Sequence, residues 1–199
     1  MSRKLSMEKD EAILRAVVGL LIEAGYARLS MEGVAARAAV SKRTLYKRFA
    51  DKDALIAAAA TQLFAGLHVG LPDPPRWQEG AFATLVEFSE RIVDFLLDPT
   101  VLGILRVVVA ESHLHPALGA AFVQHGKKPV ERLVASYLRE CPDLRVVEPD
   151  MAAVQFLGMI KEVAVWPQLL APTQPIAARA RRATIEATVR SFLRAHAPP

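Results

Sequence analysis

The stretch from Ser30 to Phe49, SMEGVAARAAVSKRTLYKRF, is the part of the sequence that indicates the fold most directly. It holds two short helical patterns with a tight break between them. Ser30 is an N-cap candidate for the first pattern, and Ser41 is an N-cap candidate for the second. Apolar side chains recur in the first pattern at helical spacing, at Met31, Val34, Ala35 and Ala38. The first of these two short helices therefore has one apolar face.

The second pattern, SKRTLYKRF, predicts a helix with one apolar side and one basic side. Leu45 and Phe49 lie four residues apart and face inward, whereas the basic residues Lys42, Arg43, Lys47 and Arg48 point elsewhere. No acidic residue occurs between Ser41 and Ala50. A helix of this kind after a tight turn can pack on its own domain and place hydrogen-bond donors in the DNA major groove. Taken alone, such a face is also typical of solvated surface.

The stretch and its flanks resemble the TetR family of one-component transcriptional regulators, from about Ile13 to Leu55. The matching segments are an amphipathic first helix ending in Ala24-Gly25-Tyr26, then Ser30-Met31, Val34-Ala35-Ala38, Val40-Ser41-Lys42-Arg43-Thr44-Leu45-Tyr46, Phe49 and Lys52-Asp53-Ala54-Leu55. One departure is Ala39, because the family usually has glycine in the turn. A positive φ at this position costs alanine some free energy, so the geometry of this turn could differ from that of the family.

The net charge is concentrated in the segment that carries the basic helix. Residues 1–62 hold 11 basic and 7 acidic side chains, whereas residues 63–199 hold 14 of each. This asymmetry indicates a polyanionic partner for the N-terminal segment alone. A non-specific architectural DNA binder would spread basic charge along the whole chain, so the neutral remainder favours sensing and dimerisation.

The composition is that of a folded protein with no membrane segment. The chain has 199 residues, of which 52% are hydrophobic, and a mean hydropathy of +0.23. No apolar run reaches the length of a membrane span, and no signal peptide precedes the first helix. The single cysteine, Cys141, excludes an intrachain disulfide and suits a reducing compartment. We therefore expect a cytoplasmic protein without membrane contact.

Helical periodicity predicts an all-α fold of about nine helices. Besides the two short helices, the patterns cover about Glu8–Ala24, Asp51–His68, Trp77–Leu97, Leu102–Ser112, Pro116–Glu140, Asp150–Leu170 and a last helix, capped by Thr173, to Ala195. The strongly apolar Leu102–Ser112 is expected to be buried on most sides, and a kink is expected near Gly126 and Pro129. The expected domains are a helix-turn-helix DNA-binding domain at 1–52 and a helical ligand-sensing and dimerisation domain at 53–199.

Position on the predicted recognition helix suggests how the DNA-binding residues divide. Lys42 and Arg43, at its N-terminal end, are expected to meet base edges. Five residues are expected mainly to hold phosphate: Ser30, Thr44, Tyr46, Lys47 and Lys52. The predicted DNA-binding set is Ser30, Ser41, Lys42, Arg43, Thr44, Tyr46, Lys47 and Lys52.

The family resemblance implies a ligand pocket among the middle helices, although no motif identifies its residues. Aromatic and methionine side chains are plentiful there, and a few polar groups occur in or beside an apolar helix. The predicted pocket residues are Phe82, Phe88, Phe95, Arg106, Glu111, His113, Phe122, Phe156, Met159 and Trp166. For any single aromatic residue, ordinary core packing is the simpler interpretation. The effector is expected to be apolar or aromatic.

The resemblance also implies a homodimer, because the last two helices of the family pair with those of a second subunit. A stripe of small residues on the last helix would permit close helix approach. The predicted interface comprises Phe156, Ile160, Ala177, Ala180, Thr184, Ala187 and Ser191. Ordinary packing within one chain is the alternative. A twofold protein would bind an inverted-repeat operator.

No pattern in the sequence indicates an enzyme. A phosphate-binding glycine loop, a metal-ligand motif and a paired-carboxylate signature do not occur, and no cofactor is expected. Glu111, His113 and His115 would form only a weak metal-ligand pattern. The sequence thus predicts a repressor released from a palindromic operator by a small ligand. The alternatives are a ligand-independent regulator or an activator and, more remotely, a helical enzyme or carrier.

Overall fold

The computed structural model describes residues 2–65, 80–171 and 176–197, and in its first five residues the backbone alone. These parts of the chain contain helices and no strand, which confirms the predicted all-α class. The helices are α1 (Ser2–Ala24), α2 (Met31–Arg37), α3 (Lys42–Arg48), α4 (Lys52–Ala65), α5 (Gly80–Leu96), α6 (Pro99–Glu111), α7 (Pro116–Phe122), α8 (Lys128–Glu140), α9 (Pro149–Ala164), α10 (Trp166–Leu170) and α11 (Ala178–Ala195).

Two helices that the sequence predicts as continuous are divided. A π-helical turn, Val123–Lys127, separates α7 from α8 at the expected kink, and Val165 separates α9 from α10. The first helix begins at Ser2, earlier than the predicted start at Glu8. The predicted helix end at His68, the helix start at Trp77 and the cap at Thr173 lie outside the described residues.

The chain divides into two compact units. The first comprises Met1–Ala65 and Pro99–Lys127, and the second comprises Gly66–Asp98 and Lys128–Pro199. These units differ from the domains expected from the sequence, since the first unit joins the helix-turn-helix segment to α6 and α7. The domain boundary at residue 52 stays a prediction.

The turn between α2 and α3 adopts the left-handed conformation that the glycine-to-alanine departure had left open. Ala39 has φ of 52°. The amide of Val40 donates to the carbonyl of Ala35 at 3.0 Å, and the amide of Ala39 donates to the carbonyl of Ala36 at 3.2 Å. These two bonds form a Schellman motif, which satisfies the last carbonyls of α2. The turn therefore keeps its geometry at a cost in backbone strain.

Replacing Ala39 with glycine is expected to stabilise the protein by about 0.5–1 kcal/mol. Glycine removes the strain of a positive φ, and its greater freedom in the unfolded chain cancels part of that gain. Urea unfolding at a fixed protein concentration measures the difference. The control is Ala36→Gly within α2, which is expected to destabilise by a similar amount. A loss of stability in Ala39→Gly would contradict the strain argument.

The core of the first unit lies where α1, α2, α3 and α4 converge. Ile13, Val17, Val34, Leu45 and Leu55 are all completely buried there. Burial of these side chains holds the short helices α2 and α3, which could not form alone in water. On α6 only Val101 and Ile104 are buried, and Val109 is 61% exposed. The prediction that this helix is buried on most sides was therefore wrong.

Phe64, near the end of α4, packs into a notch at the π-helical turn. Its ring meets that of Phe122 edge-on, with centroids 5.3 Å apart. A Cβ atom built on Gly126 would lie 2.6–2.8 Å from three ring carbons of Phe64. Glycine at position 126 is thus what lets the α4 aromatic side chain approach the backbone of the turn.

The second unit packs α5, α8, α9 and α11 around an aromatic and aliphatic core. Phe88 and Phe156 are buried, and the Phe156 ring lies 4.9 Å from that of Phe192. At the surface, Arg181 and Arg182 of α11 form ion pairs with Asp94 and Glu90 of α5. The buried Cys141 thiol lies 3.7 Å from the hydroxyl of Tyr137. None of the described helices is long and apolar enough to span a membrane.

Candidate nucleic-acid interface

Serine side chains cap both helices of the helix-turn-helix, as the sequence predicts. The Ser30 hydroxyl accepts from the amide of Gly33 at 3.1 Å, and the Ser41 hydroxyl accepts from that of Thr44 at 3.1 Å. The Ser41 and Thr44 hydroxyl oxygens lie 2.8 Å apart. These bonds satisfy orphan amides at the helix N-termini. The hydroxyls therefore have structural roles in addition to any contact with phosphate.

The outer face of α3 presents a compact set of basic and polar side chains. Lys42, Arg43, Tyr46 and Lys47 are exposed, with Tyr46 exposed by 49%, while Leu45 is completely buried on the opposite face. Arg43 and Lys47 lie four residues apart on the same side of the helix. Within the described part of the chain, neither of them has an ion-pair partner.

Acidic side chains near the interface pair with other basic residues. The Lys42 ammonium lies 3.3 Å from the Glu32 carboxylate. Hydrogen bonding to its own backbone amide, and then to Lys42, lowers the pKa of Glu32. Arg37 binds Glu23 through two hydrogen bonds of 2.6 and 2.7 Å, and Arg48 pairs with Asp10 of α1. The ion pairs connect α1, α2 and α3, and leave Arg43 and Lys47 as free cations of the described α3 surface.

Lys52 is held by contacts within the first unit. Its ammonium donates to the carbonyl of Tyr26 at 2.6 Å and lies 3.6 Å from the centroid of the Tyr26 ring. Burial lowers the pKa of Lys52. Sequence reasoning assigned Lys52 to phosphate, and the structure adds a contact that fixes the loop before α2. Its phosphate contact stays a prediction.

The predicted ligand-pocket residues fall into both compact units. Four lie in the first unit: Arg106, Glu111, His113 and Phe122. The other six lie in the second unit: Phe82, Phe88, Phe95, Phe156, Met159 and Trp166. Phe88 and Phe156 are core residues, whereas Phe82, Met159 and Trp166 are partly exposed. The carboxylate of Glu111 accepts from the amides of Tyr26 and Ala27, and its contact with an effector stays a prediction.

A narrow apolar cleft lies within the first unit between α1, α4, α6 and α7. Its walls include Ile56, Leu63, Phe64, Ile104 and Phe122. The free space amounts to about 30 Å³, which is room for a water molecule rather than for an aromatic ring. Phe122 is the predicted pocket residue that lines it. An aromatic ligand could enter this cleft only if α4 moved away from its neighbours.

The predicted dimer face divides into an exposed part and a buried part. Ala177, Ala180, Thr184, Ala187 and Ser191 are all exposed at or along α11. The hydroxyls of Thr184 and Ser191 donate to carbonyls of their own helix, which makes this stripe less polar than its composition suggests.

The prediction for α9 chose the wrong face of the helix. Phe156 and Ile160 are completely buried in the core of their own unit, so they cannot contact a second subunit directly. The outward face carries Met151, Val154 and Met159, of which Met151 is 53% exposed, together with Gly158. Spacing along α9 could have identified this second apolar stripe, because residues 151, 154 and 158 follow steps of three and four.

Residues 2–65, 80–171 and 176–197 contain no group of three or more His, Cys, Asp or Glu side chains that could hold a metal ion. Within the weak metal-ligand pattern that the sequence offers, the Nε2 of His115 lies 4.0 Å from the carboxylate of Glu111. His113 is exposed and does not complete it.

Two family profiles match most of the chain. The profile described as bacterial regulatory proteins of the tetR family matches residues 13–65. The profile described as the C-terminal domain of AefR-like transcriptional repressors matches residues 83–198. The second match alone spans more than half of the chain and runs from within α5 to beyond the end of α11.

Curated relatives and solved structures agree with these matches. An HTH-type transcriptional regulator of Mycobacterium bovis is 25% identical over 122 residues, which are 59% of this chain and 63% of the relative. The DNA-binding transcriptional repressor TetR of Mycobacteroides abscessus is 45% identical over 51 residues, or 26% of this chain and 27% of the relative. The chain thus matches less than two thirds of the length of these relatives.

The structural similarities extend over nearly the whole chain. A TetR-family transcriptional regulator from Mesorhizobium loti superposes with a TM-score of 0.80 at 23% identity, covering 97% of this chain and 98% of the other. The flavonoid-responsive regulator FrrA superposes with a TM-score of 0.80 at 28% identity, covering 96% and 97%. At 23% identity, the similarity to the Mesorhizobium loti regulator concerns the fold alone.

Proposed function

Because the chain belongs to the TetR family of bacterial transcriptional regulators, we propose that it represses transcription as a homodimer bound to an inverted-repeat operator. A small apolar or aromatic effector releases the operator. The protein itself is a DNA-binding transcriptional regulator. Its expected place is the cytoplasm, where it meets chromosomal DNA.

The observation that carries this proposal is the outer face of α3. Arg43 and Lys47 project from one side of a helix that Leu45 anchors, and the acids that form ion pairs with α3 bind its other basic residues. An arginine near the N-terminus of a recognition helix can bind guanine through two hydrogen bonds. Lys42 would leave its exposed and therefore weak pair with Glu32 to join it.

The exposed stripes of α9 and α11 support the homodimer. The two helices pack against each other, and each keeps a face of apolar or small residues in solvent. Two such helix pairs related by a twofold axis would form a four-helix interface. Small side chains such as Gly158, Ala180 and Ala187 would allow close helix approach. Because the twofold axis relates two α3 helices, the operator should be an inverted repeat.

Selection of binding sites from random DNA tests the first step, and two substitutions then separate the roles of the exposed cations. Arg43→Ala should cost about 1–3 kcal/mol on the selected duplex and relax base preference at one position of each half-site. Lys47→Ala should weaken all duplexes alike and reduce the salt slope by about one unit per subunit. Fluorescence anisotropy over a range of salt concentrations measures both effects.

Arg132→Ala is the matched control, since Arg132 is an exposed arginine on α8 in the other compact unit. Its removal changes the net charge by the same amount as Arg43→Ala does. The operator affinity should equal that of the unsubstituted protein within experimental error. If Arg43→Ala selects the same motif as the unsubstituted protein, α3 does not read bases through Arg43. If no duplex is selected at all, the proposed function itself fails.

The proposed effector class follows from the chain's aromatic content and from its structural relative. FrrA is named as flavonoid-responsive, and flavonoids are flat, largely apolar molecules. The exposed aromatic face of Trp166 and the apolar walls of the first-unit cleft are compatible with such molecules. An effector that separates α4 from its neighbours would move the helix that follows α3. A hundredfold release requires about 2.7 kcal/mol of coupling.

A panel of flavonoids and smaller phenols should include compounds that release the selected operator and change the emission of Trp166. Trp166→Phe identifies the part of the signal that arises at this residue. Sugars of similar size serve as polar controls and should have no effect on binding. If every compound leaves the operator bound, the protein is a regulator that does not respond to this ligand class.

A further inference from the structure

The loop between α1 and α2 is held from outside the helix-turn-helix by a carboxylate at the end of α6. A single oxygen of Glu111 accepts from the amide of Tyr26 at 3.0 Å and from the amide of Ala27 at 3.3 Å. The donors and the acceptor are more than 80 positions apart in the sequence. Such charge-assisted bonds are among the stronger ones in proteins.

The loop is shaped to admit this carboxylate. Gly25 has φ of 78°, and a Cβ atom on it would lie 2.3 Å from the other carboxylate oxygen of Glu111. A side chain at position 25 would therefore displace Glu111 as well as strain the backbone. The sequence identified Gly25 only as the residue that ends α1. The structure adds a second requirement for glycine at this position.

Contacts from α4 and from the turn between α6 and α7 fix the Tyr26 side chain around the same point. Its hydroxyl donates to Asp53 at 2.9 Å, and burial, followed by this bond, raises the pKa of Tyr26 to about 12. Lys52 binds the Tyr26 carbonyl and covers one face of the ring. The His115 ring lies 4.4 Å from the Tyr26 ring. The loop thus has contacts with the start of α4 and with the end of α6.

We propose that Glu111 is a positioning residue for operator binding. From the end of α6 it orients the helix-turn-helix of α2 and α3 through the amides of Tyr26 and Ala27, without touching DNA. This inference rests on the proposed function, because it requires that α3 bind an operator. It also gives Glu111 a role other than the effector contact that the sequence suggested. Any shift at the end of α6 changes the position of the chain that enters α2.

Substitution of Glu111 in the full-length protein tests this role. Glu111→Ala should weaken binding to the selected operator about tenfold or more. A loop that loses both charge-assisted bonds leaves the helix-turn-helix in several orientations, of which only some can bind. Base preference should stay unchanged, because no base contact is removed. Glu111→Gln keeps an acceptor oxygen at nearly the same place and should restore most of the affinity. Glu140→Ala, an exposed glutamate at the end of α8, is the control for charge.

Hydrogen exchange separates positioning from simple stability. In Glu111→Ala the amides of Tyr26 and Ala27 should exchange faster, while amides in the core of α1 keep their protection at a temperature where the variant is fully folded. If Glu111→Ala does not fold, Glu111→Asp, which withdraws the carboxylate by one methylene group, is measured in its place.

Two results would overturn the inference. One is faster exchange with unchanged operator affinity, which would make the contact purely structural. The other is a Glu111→Gln variant as weak as Glu111→Ala, which would exclude the acceptor role. Failure of the unsubstituted protein to bind any duplex would instead refute the proposed function.

Discussion

Replacing both Ala180 and Ala187 with arginine is expected to convert the proposed dimer to a monomer and to weaken operator binding by more than about a hundredfold. Both residues belong to the exposed small-residue stripe of α11. A proposed interface built on close helix approach has no room for two long side chains, and burying their charges without partners is costly. Losing the second half-site removes the gain in effective concentration, which is about 10²–10⁴ for linked sites.

Sedimentation equilibrium and operator titration on one protein preparation check this expectation. A variant with Ala120→Arg on α7 and Ser136→Arg on α8 is the matched control, because it adds the same charge at exposed helix positions away from the stripe. It should remain dimeric and keep tight binding. A stripe variant that sediments as a dimer would exclude this face as the interface. A monomer with undiminished affinity would contradict the inverted-repeat operator.

Phe64→Ala is expected to lower the free energy of unfolding by about 3–5 kcal/mol, the usual range for removing a buried phenylalanine. Phe64 is almost fully buried, packs edge-on against Phe122 and fills the notch over Gly126. Removing the ring would enlarge the narrow apolar cleft that Phe64 lines. Chemical denaturation followed by circular dichroism, at one protein concentration, measures the loss.

Gly126→Ala completes the cycle. Alone it should cost about 1–3 kcal/mol, because its methyl group would overlap the Phe64 ring. In a protein that already carries Phe64→Ala, the Gly126→Ala substitution should lower the free energy of unfolding by almost nothing further, since the ring is gone. Gln124→Ala, at an exposed position of the same π-helical turn, controls for changes to the turn itself. Additive losses in the double variant would show that the ring and the glycine do not interact.

Features that depend on neighbouring residues could be predicted from the sequence. The caps at Ser30 and Ser41 and the glycine that ends α1 follow from short-range rules, and the structure has all three. The basic face of α3 is a similar case, because one turn of helix determines which side chains lie opposite Leu45. These local features also carry the family resemblance, which the profile matches confirm.

Features that depend on distant parts of the chain could not be predicted. Glu111 is far from Tyr26 in sequence, and nothing local distinguishes it from a pocket residue. On α9, apolar residues occur on two faces, so periodicity could not tell the face that meets its own core from the outward one. The sequence therefore predicts Phe156 and Ile160 as interface residues, whereas the structure buries them in the core of their own unit.

The candidate recognition helix α3 has one fully buried residue, Leu45, and a cap, Ser41, and it forms ion pairs with α1 and α2. The remaining outward positions contribute little to the packing of the first unit. If α3 reads the operator as proposed, selection can therefore change the recognised DNA sequence without first finding compensating changes in the core. A gene duplicate of this regulator could then acquire a new set of target promoters through a few substitutions on one helical face, while the second compact unit stays as it was.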